Sequence, residues 1–493
     1  MRRGETMMKP SLEEVKAFAE DGRYTICPVC QEILSDFRTP VEVMRALMNV
    51  DEHCFMLESA DSSKKWGRYT FLGFDPHLGI TVLDGEMVIG DKRIKTDDPD
   101  SEIRKVLKEY RSPRIADFPP FTGGLVGYFA YDYIKYAEPS LKLDAKDTEG
   151  FKDIDLLLFD KLIVFDNFTQ KMMLIFNIKL DDPVTNYENA KHELLSIAEL
   201  VRYGAPRPNL HGKLYSTLKP YFDKDEYCSM VEKAKHHIVE GDIFQIVLSN
   251  RLEADYEGSL FNTYRVLRSL NPSPYMFYFS GTDIEVAGAS PETLVKLEDG
   301  VLRTFPLAGT RPRGKTDEED IQLEKDLLED PKELAEHNML VDLGRNDLGK
   351  ISKFGTVKLE KFHCVERYSH VMHISSTVKS EIRDDCDALD AISAILPAGT
   401  LSGAPKLRAC QLINDLENNK RGIYGGGIGY IDFSGNMDIC IAIRIAYKKN
   451  NKVFIRSGAG IVADSVPEKE YQESLDKAAA VIKALKAAEG EDI

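Results

Sequence analysis

No stretch of this 493-residue sequence approaches 18 consecutive apolar residues, and its start, MRRGETMMKPSLEEVKAF, has no apolar centre. The first absence argues against a membrane-spanning helix and the second against a secretion signal, so the cytoplasm is the expected address. There is no low-complexity tract and no internal repeat, which sets aside solenoids and fibres. Basic charge is in deficit: 64 Lys and Arg against 81 Asp and Glu leave a net charge of −17. That balance argues against nucleic acid or an anionic membrane as a general partner. Eight cysteines are scattered, and only Cys27-Pro-Val-Cys30 is closely spaced. Without a second pair this is no zinc site, and it reads as two reduced, half-buried thiols.

What is present is an ordinary globular composition, 43% hydrophobic and 29% charged, in a chain long enough for two or three domains or one large two-part body. The linker signal is Tyr203-Gly-Ala-Pro-Arg-Pro-Asn-Leu-His-Gly212, which separates an N-terminal region, 1–205, from a C-terminal region, 220–487. In the first, strands are expected at 53–58, 80–83, 156–166 and 171–178, with a helix ending at 202. In the second, helices are expected at 223–242, 258–270, 318–343, 387–396, 404–417 and 467–487. Strands there are expected at 244–256, 275–279, 284–288, 357–363, 370–378, 426–433, 437–447 and 452–457. So many hairpins predict a mostly antiparallel α+β body.

Gly309-Thr-Arg-Pro-Arg-Gly314-Lys315-Thr316 fits the phosphate-loop pattern G-x-x-x-x-G-K-[ST]. Its surroundings do not. Pro312 removes an amide donor from the middle of the loop, and Asp317, Glu318, Glu319 and Asp320 would repel a triphosphate. The preceding segment reads as a hairpin, TLVKL–EDG–VLRTF, not as the start of a βα unit. Thr316 is better read as a helix cap.

Two predicted helices carry glutamates three residues apart, hence on one face: Glu333 and Glu336, then Glu470 and Glu473, the latter with Lys477. Either pair alone reads as solvent-facing decoration. Facing one another they would form an oxygen-only site suited to Mg²⁺, the cation by which an acidic protein reverses its field for an anionic substrate. Between them lie groups able to hold an anion: Gly399-Thr400-Leu-Ser-Gly403, Arg444, and Ser457-Gly-Ala-Gly460.

Nine ordered segments from about residue 220 to 485 resemble the chorismate-utilising enzyme family: GDIFQIVLSNR, GASPE, PLAGTRPRG, EHNMLVDLGRND, VMHISSTV, PAGTLSGAPK, RGIYGGGIGYID, AIRIA and GAGIVADSVPEKEYQES. The first ~200 residues are similar, less closely, to the N-terminal region that accompanies this domain in anthranilate and aminodeoxychorismate synthases. The resemblance implies a large, mostly antiparallel β-sandwich core wrapped by helices. It implies Mg²⁺ held by Glu336 and Glu473, with Glu333 and Glu470 acting through water. It places Gly309, Thr310, Tyr424, Arg444, Ala459, Gly460 and Lys477 around the substrate, with Thr400 and His373 beside its ring. Glu292 becomes the general acid for the departing C4 hydroxyl, a role that needs a raised pKa.

Two departures narrow the chemistry. Ala308 stands where aminodeoxychorismate synthases carry a nucleophilic lysine. Gln245 stands where isochorismate and salicylate synthases carry the lysine that activates water, and an amide is no base. The resemblance therefore points to the anthranilate synthase large subunits: ammonia attacks C2, and pyruvate is then eliminated. It further implies a separate glutamine amidotransferase subunit as ammonia source, a heterotetramer of two copies of each subunit, and feedback inhibition by tryptophan. The tryptophan site would comprise Glu58, Ser59, Pro274, Tyr275, Met276, Ile428, Tyr430 and Cys440. The same residues fit a plain hydrophobic core. The competing classes are an aminodeoxychorismate synthase, a non-catalytic tryptophan sensor and an ATP-dependent enzyme.

Overall fold

A computed structural model of the chain describes residues 8–59, 67–208, 210–367 and 371–489. Its centre is two antiparallel sheets. The first, of 13 strands, runs in spatial order Ile26–Leu34, Lys171–Lys179, Lys161–Asp166, Tyr69–Phe74, Cys54–Glu58, Tyr275–Ser280, Glu285–Ser290, Ile445–Lys449, Lys452–Ile461, Gln245–Glu257 and Lys213–Leu214, with two short strands pairing off this path. The second, of 12 strands, runs Leu307–Pro312, Val371–Glu381, Val301–Thr304, Thr293–Glu298, Met437–Ile441, Gly427–Asp432, Gly124–Phe129, Ile154–Phe159, Leu78–Leu83, Glu86–Ile89 and Lys92–Lys95. The strand Lys358–Arg367 pairs with Val371–Glu381 off this path. The expected antiparallel α+β sandwich is what forms.

The sheets face each other across an aromatic core that includes Phe55, Phe71, Phe121, Tyr128, Phe277, Tyr447 and Phe454. Helices Pro183–Tyr203, Phe261–Leu270 and Pro467–Ala487 cover the outer face of the first sheet. Helices Pro99–Lys108, Pro331–Gly349 and Ala388–Ile395 cover that of the second. Most central strands are thus apolar on both faces and read as continuous runs rather than alternations. In Cys54–Glu58, for instance, Cys54 and Met56 face the helices while Phe55 and Leu57 face the other sheet. The segments 1–205 and 220–487 contribute to both sheets, because Cys54–Glu58 pairs with Tyr275–Ser280 and Gly124–Phe129 pairs with Gly427–Asp432.

Three expected elements are divided. The strand at 156–166 is two, Ile154–Phe159 and Lys161–Asp166, because the chain changes sheet at Asp160. The strand at 437–447 is likewise Met437–Ile441 and Ile445–Lys449, one in each sheet. The helix at 318–343 is Asp317–Glu329 followed by Pro331–Gly349, whose N-cap Asp330 accepts from the amides of Lys332 at 3.0 Å and Glu333 at 3.3 Å. Pro331 in that first turn lacks only an amide hydrogen that would have had no intrahelical acceptor. The strand expected at 370–378 begins at His370, outside the described residues, and from Val371 it is a strand.

The phosphate-loop letters fall on a strand, Leu307–Pro312, and on a helix cap, where Thr316 Oγ1 accepts from the Glu319 amide at 3.3 Å. Cys27 and Cys30 lie on opposite faces of the strand Ile26–Leu34, one in the helix-covered core and one between the sheets. Burial pushes each thiol up to about 12, so neither supplies a reactive thiolate.

Candidate active site

Glu292 and Arg444 both sit where the chain crosses from one sheet to the other. Glu285–Ser290 lies in the first sheet and Thr293–Glu298 in the second, while Met437–Ile441 and Ile445–Lys449 make the reverse crossing. Hydrogen bonds hold the two crossings side by side: the Ile441 amide donates to Glu292 O at 2.9 Å and the Ala289 amide to Arg444 O at 3.2 Å. Arg444 has φ of 52°, a left-handed conformation that costs a non-glycine residue roughly 1–2 kcal/mol. The flanking strands impose it. Arg444 is therefore at a corner rather than within a strand as expected, close enough to Glu292 for each charge to act on the other.

Glu292 behaves as a proton-carrying acid should. Burial pushes its carboxyl up to about 7, against the lowering effects of a 3.0 Å hydrogen bond from Thr400 Oγ1 and the charges of Arg444 and Lys477. Thr400 lies in the short turn Gly399–Leu401. Arg444 is itself held below its ordinary value by burial, which Glu292 partly offsets.

His373, on Val371–Glu381, lies opposite Thr310 on Leu307–Pro312, beside a bulge between Ala308 and Thr310. The bulge contains Gly309 at φ of 69°, and a Cβ there would stand 3.1 Å from Glu333 Oε2. Gly309 O, which can only accept, lies 2.9 Å from His373 Nδ1, and Thr310 Oγ1 lies 3.1 Å from the same nitrogen. Nδ1 thus carries the proton and Nε2 the basic lone pair. Burial lowers the imidazole pKa, with the Gly309 carbonyl raising it and Arg444 lowering it further. The result is a neutral ring suited to accept a proton.

The two glutamate pairs come from Pro331–Gly349, which packs on Leu307–Pro312 and Val371–Glu381, and from Pro467–Ala487, which packs on Lys452–Ile461. They act on each other across the space between these helices. Glu336 is raised by burial, then by Glu333 and by Glu473 of the other helix, while Lys332 and Lys477 lower it. Glu470 is raised by burial and by Glu473, and lowered by Ser465, Lys477 and Lys332. Glu473 pairs with Lys477 at 2.6 Å and Glu333 with Arg311 at 3.5 Å. Among the described residues no three His, Cys, Asp or Glu side chains are gathered closely enough to hold a metal ion. The four glutamates are all-oxygen donors whose mutual repulsion a divalent cation such as Mg²⁺ would relieve.

Gln245 begins the strand Gln245–Glu257, whose Leu248 and Val247 face Ala459 and Gly460 on Lys452–Ile461. A Cβ on Gly460 would come 3.1 Å from Gln245 Nε2, so the missing side chain lets the amide approach. Tyr424 is buried, and burial pushes its hydroxyl up to about 12. A cavity of about 420 Å³, lined by Arg104, Arg111, Ile382 and Phe433 among others, includes none of these residues and borders the opposite ends of the same strands.

Residues 52–483 match the family model for chorismate binding enzymes. This chain belongs to the chorismate-binding enzymes. Within the family it is 45% identical over 487 residues to anthranilate synthase component 1 of Aquifex aeolicus, covering 97% of this chain and 98% of the relative. It is 42% identical to the component 1 of Acetivibrio thermocellus, covering 98% and 99%. Anthranilate synthase component I of Streptococcus pneumoniae superposes with a TM-score of 0.76 at 38% identity, over 84% of this chain and 92% of that one. A menaquinone-specific isochorismate synthase of Escherichia coli, at 21% identity over 96% and 98% of the two chains, shares the fold with a TM-score of 0.69.

In this chorismate-binding enzyme the residues expected to bind tryptophan divide between two faces. Tyr275, Ile428, Tyr430 and Cys440 meet in or against the core between the sheets, where Tyr430 stacks on Phe121 at 4.2 Å. The Tyr275 hydroxyl lies 2.8 Å from both Thr293 Oγ1 and Asp438 Oδ1. Met276, the next residue along, faces the helices instead. So does the Glu58 carboxylate, which pairs with Arg268 at 2.5 Å and accepts from the Tyr264 hydroxyl. Pro274 and Ser59 are half-buried next to these strands.

Sequence reasoning missed two side-chain clusters that support the site. Arg311 clamps Asp326 and Asp330 at 2.8 Å each as well as Glu333, fixing the start of the glutamate helix against the His373 hairpin. Beneath Tyr424, Glu417 is gripped by Arg421 and Arg456, all three almost fully buried. Charged residues between helices read as surface, so neither cluster had a signal in the sequence.

Proposed function

We propose that this chain is the chorismate-aminating component of an anthranilate synthase, forming anthranilate for tryptophan synthesis. The observation that carries the reading is the carboxyl of Glu292, pushed up to about 7, hydrogen-bonded by Thr400 and set beside Arg444. An acid poised near neutral pH is what departure of a hydroxyl demands. Arg444, Lys477 and the Ala459–Gly460 backbone hold the two carboxylates of chorismate, with Tyr424, Gly309 and Thr310 around the ring. Glu292 donates its proton to the C4 hydroxyl as ammonia bonds to C2. His373 Nε2 then takes the remaining C2 proton as the C3–O bond breaks and the ring aromatises; the departing enolate of pyruvate takes up one proton at its methylene carbon to become pyruvate. Gln245 orients without acting as a base, and Ala308 offers no nucleophile, which leaves free ammonia as the attacking species.

Glu336 and Glu473 would hold Mg²⁺, backed by Glu333 and Glu470, and the bound ion supplies Lewis-acid polarisation of the ring carboxylate. At neutral pH ammonia is mostly ammonium, so a glutamine amidotransferase subunit delivers it, in a heterotetramer of two large and two small subunits working in the cytoplasm. Tryptophan inhibits by occupying the space around Tyr275, Tyr430 and Cys440, with the backbone of Glu58, Ser59, Pro274 and Met276 at its edge.

The deciding experiment gives the purified chain chorismate, Mg²⁺ and an ammonium salt at mildly alkaline pH and follows anthranilate fluorescence. Metal-dependent anthranilate that EDTA abolishes and tryptophan suppresses is expected. Consumption of chorismate without anthranilate overturns the assigned product; fluorescence unaffected by EDTA removes the metal from the account.

A further inference from the structure

Gln245 and Gly460, on neighbouring strands of the first sheet, lie beside an unusually bare surface. Val239 at the end of helix Lys224–Val239 is 75% exposed, Phe244 is 73%, Leu407 is 40% and Val466 is 42%. Three sets of contacts join these positions into one surface. Lys235 Nζ donates to Ser465 O at 2.7 Å, which sets Val466 beside the helix face that continues, one turn on, to Val239. Asp242 accepts from Arg408 at 2.9 Å and lies 2.7 Å from His237 Nδ1, drawing the turn after Val239 against Leu407. The Phe244 amide donates to Ala404 O at 2.7 Å, which fixes Phe244 next to the helix Lys406–Glu417. Phe244 directly precedes Gln245 in the chain, and Val466 O accepts from the amide of Glu470 at 3.1 Å, so two of these exposed apolar residues adjoin residues of the site.

We infer that this surface, formed by Val239, Phe244, Leu407 and Val466, is where the glutamine amidotransferase component docks. The inference rests on the proposed amination of chorismate and adds the location of its nitrogen donor. Ammonia released into water at neutral pH is captured as ammonium, so delivery must be short and sheltered. Of the exposed apolar positions, this set is the one joined to the wall of the site. An apolar centre ringed by charged and polar groups, here Lys235, His237, Asp242 and Arg408, is also the anatomy of a protein interface. A seated partner would cover Phe244 and so place its ammonia outlet one residue from Gln245.

The test uses the full chain with the amidotransferase component from the same source. Phe244→Asp and, separately, Leu407→Asp are compared with the unaltered chain in two assays, one fed ammonium and one fed glutamine plus the partner. Light scattering reports complex formation. Glutamine-dependent anthranilate is expected to fall about tenfold or more, the scale of a lost interface anchor, while the ammonium-dependent rate stays within about twofold and the complex peak disappears. Unchanged complex formation in both variants overturns the inference. So does a variant that changes the mass of the chain on its own, since the surface would then join two copies. If the unaltered chain makes no anthranilate from ammonium, the proposed reaction fails instead, and loss or retention of the complex still decides the docking surface.

Discussion

Burial pushes the carboxyls of Glu292 and Glu417 upward alike, yet their pKa values end on opposite sides of the ordinary one. For Glu417 burial acts upward, but Arg421 and Arg456 outweigh it and hold the group below its ordinary value. It accepts from Arg421 Nε at 2.9 Å and Nη2 at 2.6 Å, from Arg456 Nη2 at 2.7 Å, and from the amide and hydroxyl of Ser249 at 2.7 and 2.9 Å. The Glu292 carboxyl accepts from Thr400, with Arg444 and Lys477 acting at longer range, and burial wins. The number of donors built around a carboxylate thus decides whether it serves as structure or as a proton source.

The comparison breaks most visibly at Glu417. Glu417→Ala leaves two guanidiniums buried without their counter-charge and should lower stability by about 3–5 kcal/mol, read from urea unfolding. A loss under about 1 kcal/mol would mean the triad relaxes to water, and the contrast with Glu292 would collapse. Glu292→Gln should leave the chain no less stable and lower kcat by about 10²–10⁴, the range of one general acid; a near-normal rate would assign the proton to another group. His373→Met should slow the second step selectively, so that 2-amino-2-deoxyisochorismate builds up ahead of anthranilate in chromatographed reaction mixtures. Normal partition to anthranilate would remove His373 from the elimination. Glu336→Gln should raise the Mg²⁺ concentration needed for half-maximal rate by about 10-fold or more, checked independently by titrating Mn²⁺ and following its paramagnetic signal.

The smallest effect sharpens the comparison through pH. The folded pKa of Glu292, about 7, lies above the carboxyl's ordinary 4.5, so the native state binds the proton more tightly than the unfolded chain. Its contribution is intact below the unfolded value and is lost as pH rises through about 7, where a charge must be carried in the buried site. Glu292→Gln should therefore match the parent's melting temperature near pH 4 and exceed it by a few degrees at pH 8. Equal melting temperatures at both values would show that the carboxyl is not strained by burial.

Much of this was legible from residue pattern alone. The long strands around 245–257 and 452–461 and the helices 224–239 and 467–487 have clear periodicity, and their bounds came out within a few residues. What periodicity could not convey is which sheet a strand joins. The run 437–447 is apolar on both faces before and after Ala442–Arg444, so a change of sheet leaves no trace in composition. The missed strands at Ile26–Leu34 and Gly124–Phe129 contain Pro28 and two glycines, which read as breakers until close backbone approach explains them: a Cβ on Gly127 would lie 2.0 Å from Asp155 O. Glutamate spacing showed that each pair shares a face, and only the fold brings the pairs near each other. Asp330-Pro331, by contrast, was a readable helix start that a continuous 318–343 pattern concealed.

The stretch 203–208, exposed apart from half-buried Gly204, looks like a place where a protease could separate two independent parts, but the sheets run through both. Cleavage there would leave Tyr275–Ser280 held to Cys54–Glu58, and Gly427–Asp432 to Gly124–Phe129, by strand pairing, shared core packing and ion pairs such as Glu58–Arg268, with no covalent link. Fragments made separately would each present unpaired strand edges with apolar side chains on both faces, a template for aggregation. Made together, they would complete one another's sheets and behave as a split enzyme whose activity reports the joining of its two pieces.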